Sequence, residues 1–195
     1  RLITPGGAQA GDAVLLTKGP AVETAALLSI LSKDRLAERY PPDLVSAALE
    51  LHKQVTCVKD ALIAARWGAT AMHDATEGGV MGGLFEVANA SNKGMVIREK
   101  DFLYPPEIRM VCEYLDLDPL KAIAEGSLLV TIPGERAGGL IAELKANGIA
   151  SSVIGEVVSD PNRAEIHRLD GRVEELAIPD KDPFWPAFFA GLNMA

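Results

Sequence analysis

The chain has 195 residues, of which 48% are hydrophobic, and a formal net charge of −8. This length and apolar content predict one globular domain with a real core and exclude a disordered chain. So acidic a surface argues against nucleic-acid binding, which depends on neutralising phosphates. No apolar run approaches the roughly 20 residues of a membrane-spanning helix.

The first half of the chain predicts a strand followed by helices. Residues 1–12 are rich in glycine and predict a linker, and residues 13–17 are an apolar run typical of a buried strand. A helix is expected from Pro20 towards Tyr40. The apolar positions from Leu44 to Ala65 keep spacings of four and three, which predicts one long helix that ends at Gly68.

The second half alternates strands and helices, which predicts an α/β or α+β domain with a mixed sheet covered by helices. Strands are expected at 69–73, 94–99, 127–132 and 151–158, and helices from Gly78 onward and at 106–114, 118–125 and 135–147. Asp170-Gly171 predicts a two-residue hairpin turn between strands 163–169 and 172–178. The aromatic tail around Phe184 predicts a short closing helix. The predicted domain spans 13–195.

The segment 69–90 reads as a strand, a polar turn and a glycine-rich helix start. Gly78, Gly79, Gly82 and Gly83 fall in the first turns of that helix, and each costs about 1 kcal/mol relative to alanine. The close approach of a phosphate or of another backbone would offset that cost. A helix N-terminus at the end of a strand also suits an anion.

The turn itself carries two carboxylates, Asp74 and Glu77, which are the candidate catalytic residues. Asp74 is also the candidate Mg²⁺ ligand, because carboxylates bind Mg²⁺ that bridges phosphates. Thr76 is placed to cap the helix or to bind a ligand. The alternative stays open: these side chains satisfy loop N–H groups, and the glycines permit tight packing. His73 is expected to be a hydrogen-bonded structural histidine rather than a general base.

Two further residues outside the turn are candidates for the site. Glu125 falls in the last turn of a predicted helix, where its charge opposes the helix dipole, so a functional role and a solvated glutamate remain equally open. Lys18 lies between a strand and a helix start and is a candidate phosphate contact, although a solvated lysine is the favoured interpretation. Glu23 is discounted, because a negative charge in a first helical turn is favourable anyway.

Cys57 and Cys112 both lie beside apolar residues in helical patterns. We therefore expect two buried free thiols, which fit a reducing cytoplasm. No three of His, Cys, Asp and Glu have zinc-site spacing. The chain has neither a P-loop nor a GxGxxG motif after a strand.

The run His-Asp-Ala-Thr-Glu-Gly-Gly-Val at 73–80, followed by Leu-Phe-Glu-Val-Ala at 84–88, resembles the signature turn of the AIR synthase-related (PurM-like) C-terminal domain. Residues 112–120, 124–130 and 155–157 resemble the same family in order. Within it, the likeness is greatest to the hydrogenase expression/formation proteins.

The resemblance implies a homodimer of two-domain subunits that uses ATP and Mg²⁺ to phosphorylate an amide or carbonyl oxygen, such as that of a carbamoyl group. It further implies an N-terminal domain beyond this chain, which begins at Arg1 and which we expect to be a piece of a longer protein. Asp74, Thr76, Glu77, Gly78 and Gly79 would then face the cleft, whose one wall this domain supplies.

Two departures separate this chain from the hydrogenase proteins. They commonly have arginine where this chain has Glu77, and they end in a cysteine where this chain ends in Ala195. Both departures favour an alternative function, a non-catalytic dimerisation or partner-binding module that keeps the fold.

Overall fold

The computed structural model describes residues 2–192 as a seven-stranded sheet with helices on both faces. The strands are β1 Asp12–Thr17, β2 Ala71–Asp74, β3 Gly94–Arg98, β4 Leu128–Pro133, β5 Ser151–Val158, β6 Ala164–His167 and β7 Val173–Glu175. The helices are α1 Val22–Leu31, α2 Lys33–Arg39, α3 Pro42–Glu50, α4 Val58–Trp67, α5 Gly79–Ser91, α6 Pro106–Tyr114, α7 Gly134–Ala146 and α8 Phe184–Leu192.

The sheet order is β2-β4-β1-β5-β3-β6-β7, and its pairs are antiparallel except for the parallel pair β3–β6. This is the mixed sheet that the sequence predicts. β2 lies at one edge, where Asp74 pairs with Leu128 of β4. The end of β2 is therefore open on one side, and this edge positions the signature turn.

The central strand β1 is buried on both faces because its side chains alternate between two cores. Val14 and Leu16 pack into the cluster beneath α5. Leu15 points the opposite way, into the cluster formed with α4 and α7. A third cluster, beside the sheet, joins α1, α3, α6 and Phe184 of α8. A strand buried on both faces reads as a continuous apolar run, which is what the sequence shows.

The predicted long helix from Leu44 to Ala65 is wrong, because the chain leaves the helix between α3 and α4. The Lys18 ammonium binds the carbonyls of Gln54 and Thr56 at 3.5 and 2.7 Å. These two carbonyls therefore accept hydrogen bonds from the lysine in the segment where the predicted helix is interrupted. Val58 and Leu62, which the stripe places in the core, are 65% and 58% exposed.

The predicted helix at 118–125 does not form either. The Leu120 carbonyl accepts the Met81 N–H at 2.9 Å, and the Ile123 carbonyl accepts the Thr24 hydroxyl at 2.7 Å. The carbonyl groups of Leu120 and Ile123, which a helix would use in its own hydrogen bonds, thus accept hydrogen bonds from α5 and α1. Local capping signals at Asp118 and Gly126 cannot reveal such tertiary demands.

A smaller prediction is also revised. The hairpin of β6 and β7 forms, but its loop has three residues, closed by the Arg168 N–H on the Arg172 carbonyl, with Gly171 at φ +85°. The linker segment is packed against the domain: a Cβ on Gly7 would lie 2.0 Å from the Thr70 carbonyl oxygen. Gly68 ends α4 in the left-handed region as predicted.

The expectation of two free thiols is confirmed within residues 2–192, although only one of them is buried. Cys57 and Cys112 are free thiols, half-buried and buried respectively, and burial raises the pKa of Cys112 to about 12. No helix in this range is both long and apolar enough to cross a bilayer.

Candidate functional site

The signature turn joins the edge strand β2 to α5. The Ala75 N–H donates to the Ser127 carbonyl at 3.1 Å, which fixes the turn beside the segment that leads into β4. Gly78 and Gly79 both have positive φ, +81° and +64°, and α5 starts at Gly79. Only glycine adopts this conformation without strain, so the paired glycines set the direction in which the helix departs.

The anion position at the start of α5 is filled by a side chain of the protein. Asp182 is 93% buried (7% exposed) and accepts the Gly78 N–H at 2.9 Å. It also accepts the N–H groups of Ile123 at 3.3 Å and Phe184 at 2.9 Å. A carboxylate at a helix N-terminus is stabilised by the helix dipole. The structure therefore gives this position to Asp182, and the N–H of Gly78 is not free for a phosphate.

The glycines serve the close approach of another backbone, one of the two possibilities that the sequence left open. A Cβ on Gly79 would lie 2.6 Å from the Ala122 carbonyl oxygen and 2.7 Å from that of Leu120. Thr76 does not cap the helix through its side chain; its carbonyl accepts the Gly79 N–H at 3.0 Å. The segment 120–123 thus packs directly against the start of α5.

The polar side chains of the turn point in different directions. Asp74 is 56% exposed. Glu77 turns towards the C-terminal helix, where it accepts the Trp185 Nε1–H at 3.0 Å. His73 lies 2.6 Å through Nε2 from Glu86 of α5, which supports the structural role predicted for it. The exposed carboxylate of Asp74 lies 3.6 Å through Oδ1 from Nδ1 of His73.

A second acidic pair lies next to the turn. The Glu23 carboxylate, in the first turn of α1, accepts the backbone N–H of Glu125. Burial, followed by the charge of Glu125, raises the pKa of Glu23. Its Oε2 is buried and has no hydrogen-bond partner within residues 2–192. The side chain of Glu125 is exposed. Asp182, which also raises the pKa of Glu23, accepts the N–H groups of Gly78 and Ile123, so the segment before Glu125 lies beside the signature turn.

Lys18 organises this surface from within instead of lying on it. Its ammonium is 2.8 Å from Asp60 and donates to the Gly126 carbonyl at 2.6 Å, and the side chain is 8% exposed. Lys18 and Ala21 both have positive φ, +62° and +53°. Strained non-glycine residues persist where surrounding contacts over-determine them, often at functional sites. The solvated lysine expected from sequence is wrong, and the ammonium is fully taken by protein groups.

Within residues 2–192 no group of three His, Cys, Asp or Glu side chains could hold a metal ion. Mg²⁺ does not require such a cage, because it keeps several waters and binds one or two carboxylates together with substrate phosphates. The exposed carboxylate of Asp74 fits that minimal donor set.

Sequence reasoning missed three residues of this surface. Glu23 was discounted for its favourable position in the helix, and its pairing with Glu125 depends on the fold. Asp182 and Trp185 stand in the tail, far from the signature turn in sequence. A signal was present for Asp182 alone, since Asp-Pro-Phe resembles a helix start.

Comparisons with known proteins show the family of this chain. The model of the family "AIR synthase related protein, C-terminal domain" matches residues 9–167. The carbamoyl dehydratase HypE of Rhizobium leguminosarum bv. viciae is 32% identical over 157 residues, covering 80% of this chain and 43% of that protein. HypE of Azotobacter vinelandii is 32% identical over 158 residues, covering 80% of this chain and 44% of that protein.

Solved structures show the same architecture. HypE from E. coli superposes with a TM-score of 0.72 at 28% identity, covering 93% of this chain and 54% of that chain. A HypE in complex with ATP has a TM-score of 0.67 at 23% identity, covering 93% of this chain and 55% of that chain, and shows the fold alone. The chain spans less than half the length of the curated relatives named above. By fold and by sequence, this chain belongs to the AIR synthase related protein family and corresponds to its C-terminal domain.

Proposed function

We propose that this domain forms one wall of the nucleotide and substrate cleft of an ATP-dependent enzyme that activates an amide or carbonyl oxygen by phosphorylation. Family membership supports the enzyme class, and the relatives named carbamoyl dehydratase support a carbamoyl or amide substrate. The observation that carries the proposal is the Glu23–Glu125 pair, with a buried carboxylate oxygen left unpaired beside the signature turn.

Phosphorylation of an amide oxygen requires a base. The oxygen forms a bond to the γ-phosphorus, the bond to the β-phosphate bridging oxygen breaks, and ADP leaves. The amide nitrogen loses a proton as its oxygen attacks. A pair of neighbouring carboxylates suits this transfer, because the exposed member accepts the proton while its half-buried neighbour, whose own pKa is raised, positions it. Glu125 is exposed and takes the role of base, and Glu23 is its positioning partner.

The nucleotide is held without a P-loop. Because Asp182 occupies the start of α5, Asp74 would hold the Mg²⁺ that binds the phosphates, together with groups of the rest of the protein. The ion, when bound, neutralises charge on the transferred phosphoryl group. In this proposal an N-terminal domain and a second subunit complete the cleft, as in the two-domain homodimers that the family likeness implies, in the cytoplasm.

A calorimetric titration of ATP–Mg²⁺ into the protein at its full natural length tests the nucleotide role. Asp74→Ala is expected to weaken binding by about tenfold or more, the usual scale for damage to a metal site. Glu135→Ala is the matched control, since Glu135 is exposed on α7, on the opposite face of the sheet from α5. Equal affinities for Asp74→Ala and the wild type would contradict the proposed position of Mg²⁺.

The second candidate is a non-catalytic dimerisation or partner-binding module. The exposed aromatic residues Trp185 and Phe189 of α8 favour it. Absence of ATP–Mg²⁺ binding, combined with self-association that Phe189→Ser abolishes, would establish this second function in place of the first.

A further inference from the structure

A cavity of about 660 Å³ lies against the signature turn. Thr76, Glu77 and Gly78 form its floor. Its walls are largely apolar and come from the segment before α8 and from α8 itself: Ile178, Pro179, Trp185, Pro186 and Phe189. A cleft of this volume with aromatic walls is of the size that holds small molecules.

The charged side chains that line the cavity are mostly negative. Glu77, Glu86, Asp180 and Asp182 line it, against the single cation Lys181. Asp182 is satisfied by three backbone N–H groups and adds little free acceptor capacity. Glu77 accepts the Trp185 indole N–H through Oε1, and this hydrogen bond holds the carboxylate beside an aromatic ring. Carboxylates next to exposed aromatic faces form the environment that favours an organic cation.

The same features argue against a phosphate or another anion. The helix start that would attract an anion is already filled by the Asp182 carboxylate. Glu77 places a further negative charge where an incoming anion would lie. A neutral apolar ligand would leave these carboxylates desolvated without a partner, which costs free energy.

We propose that this cavity binds a small organic cation with a flat apolar body, such as an amidinium or guanidinium group attached to a ring. The cationic group pairs with Glu77, and the ring lies against Trp185 and Phe189. Asp74 and Glu125 are not among the residues that line this site, so it differs from the proposed positions of Mg²⁺ and of the base.

Three ring compounds of equal shape and different charge provide the test: benzamidinium, benzamide and benzoate. The reporter is the fluorescence of Trp185 in Trp67→Phe, which removes the other of the two tryptophans. Benzamidinium is expected to bind in the millimolar range and at least about threefold more tightly than benzamide, the scale of one cation–aromatic contact. Benzoate is expected not to bind. Calorimetry on the unmodified chain replaces fluorescence if Trp67→Phe does not fold.

Variants of Glu77 make the test specific. Glu77→Gln keeps an acceptor for the Trp185 indole and removes the charge, so benzamidinium affinity should fall about threefold or more. Glu135→Gln, a charge loss on the opposite face of the sheet, should leave it unchanged. Equal binding of all three compounds, binding of none, or an unchanged affinity in Glu77→Gln would overturn the proposal. Because no nucleotide is present, these outcomes are independent of the proposed ATP-dependent function.

Discussion

Two carboxylates near the signature turn, Asp182 and Glu23, differ in how well the protein satisfies them. Asp182 is buried and accepts three backbone N–H groups from three segments. Glu23 is half-buried, accepts one N–H from Glu125, and leaves Oε2 buried without a partner in the described chain. A buried carboxylate is stabilised when its acceptor positions are filled and is costly when they are not.

The difference indicates a structural role for Asp182 and fits the chemical role proposed for Glu23. Asp182 connects the turn, the segment 120–123 and α8 through its three hydrogen bonds. These bonds leave it little acceptor capacity for a ligand. Glu23 carries an unfilled acceptor and a raised pKa next to the exposed Glu125, which are the properties of a group kept ready for proton transfer. The helix start that looks like an anion site from sequence is therefore occupied by a side chain of the protein, and Glu23, which sequence reasoning sets aside, becomes a candidate for the proposed proton transfer.

The largest expected effect comes from Asp182. Asp182→Ala leaves the N–H groups of Gly78, Ile123 and Phe184 buried without their acceptor, so we expect a loss of about 3–5 kcal/mol in the free energy of unfolding. Urea denaturation measures it. Asp180→Ala, two residues earlier and exposed, should change stability by less than about 0.5 kcal/mol. A loss below about 1 kcal/mol for Asp182→Ala, the scale of one lost hydrogen bond, would contradict the role of Asp182.

Gly79 tests the close approach of the two backbones. In Gly79→Ala the new methyl group meets the carbonyls of Leu120 and Ala122 at a residue with positive φ, so we expect a loss of about 2–3 kcal/mol. Gly82→Ala is the control within α5, because its Cβ would come no closer than 3.4 Å to the Glu77 carbonyl oxygen. That variant should be neutral or up to about 1 kcal/mol more stable. Thermal unfolding of both variants decides, and equal effects would argue against the contact.

Glu23 gives the smallest effect, which depends on pH. Its pKa is raised in the folded protein above the ordinary value of 4.5. The stabilising contribution of the protonated form is complete below that value and is lost as pH rises through the raised pKa. Glu23→Gln stays neutral, so the melting temperature of the variant minus that of the wild type should be more positive at pH 7 than at pH 4. A difference that is the same at both pH values would contradict the unsatisfied state of Glu23.

Sequence patterns predict most of the fold because those elements are set by local periodicity and capping. The buried strand β1, the start of α5 at Gly79 and the end of α4 at Gly68 follow from apolar runs and glycine positions. The predicted helices fail where backbone carbonyls are taken by distant groups. Lys18 takes those of Gln54 and Thr56, and α5 takes that of Leu120. No local pattern encodes such contacts.

The site follows the same rule. The turn motif makes Asp74, Glu77, Gly78 and Gly79 candidates, because motif residues are adjacent in sequence. Glu23 is brought next to Glu125 by contacts between residues about a hundred positions apart in sequence, such as that of Thr24 with the Ile123 carbonyl. Asp182 reaches Gly78 across a separation of 104 residues. Pairing of this kind appears only once the chain is folded.

The central claim is that the surface formed by the signature turn and the Glu125 segment faces the nucleotide. Hydrogen exchange of the full-length natural protein, with and without ATP–Mg²⁺, tests it most directly. The account predicts slower amide exchange at 73–77 and 123–127, with unchanged exchange in α7 on the opposite side of the sheet. Protection of α7 alone, or nucleotide binding without protection at either segment, would contradict it.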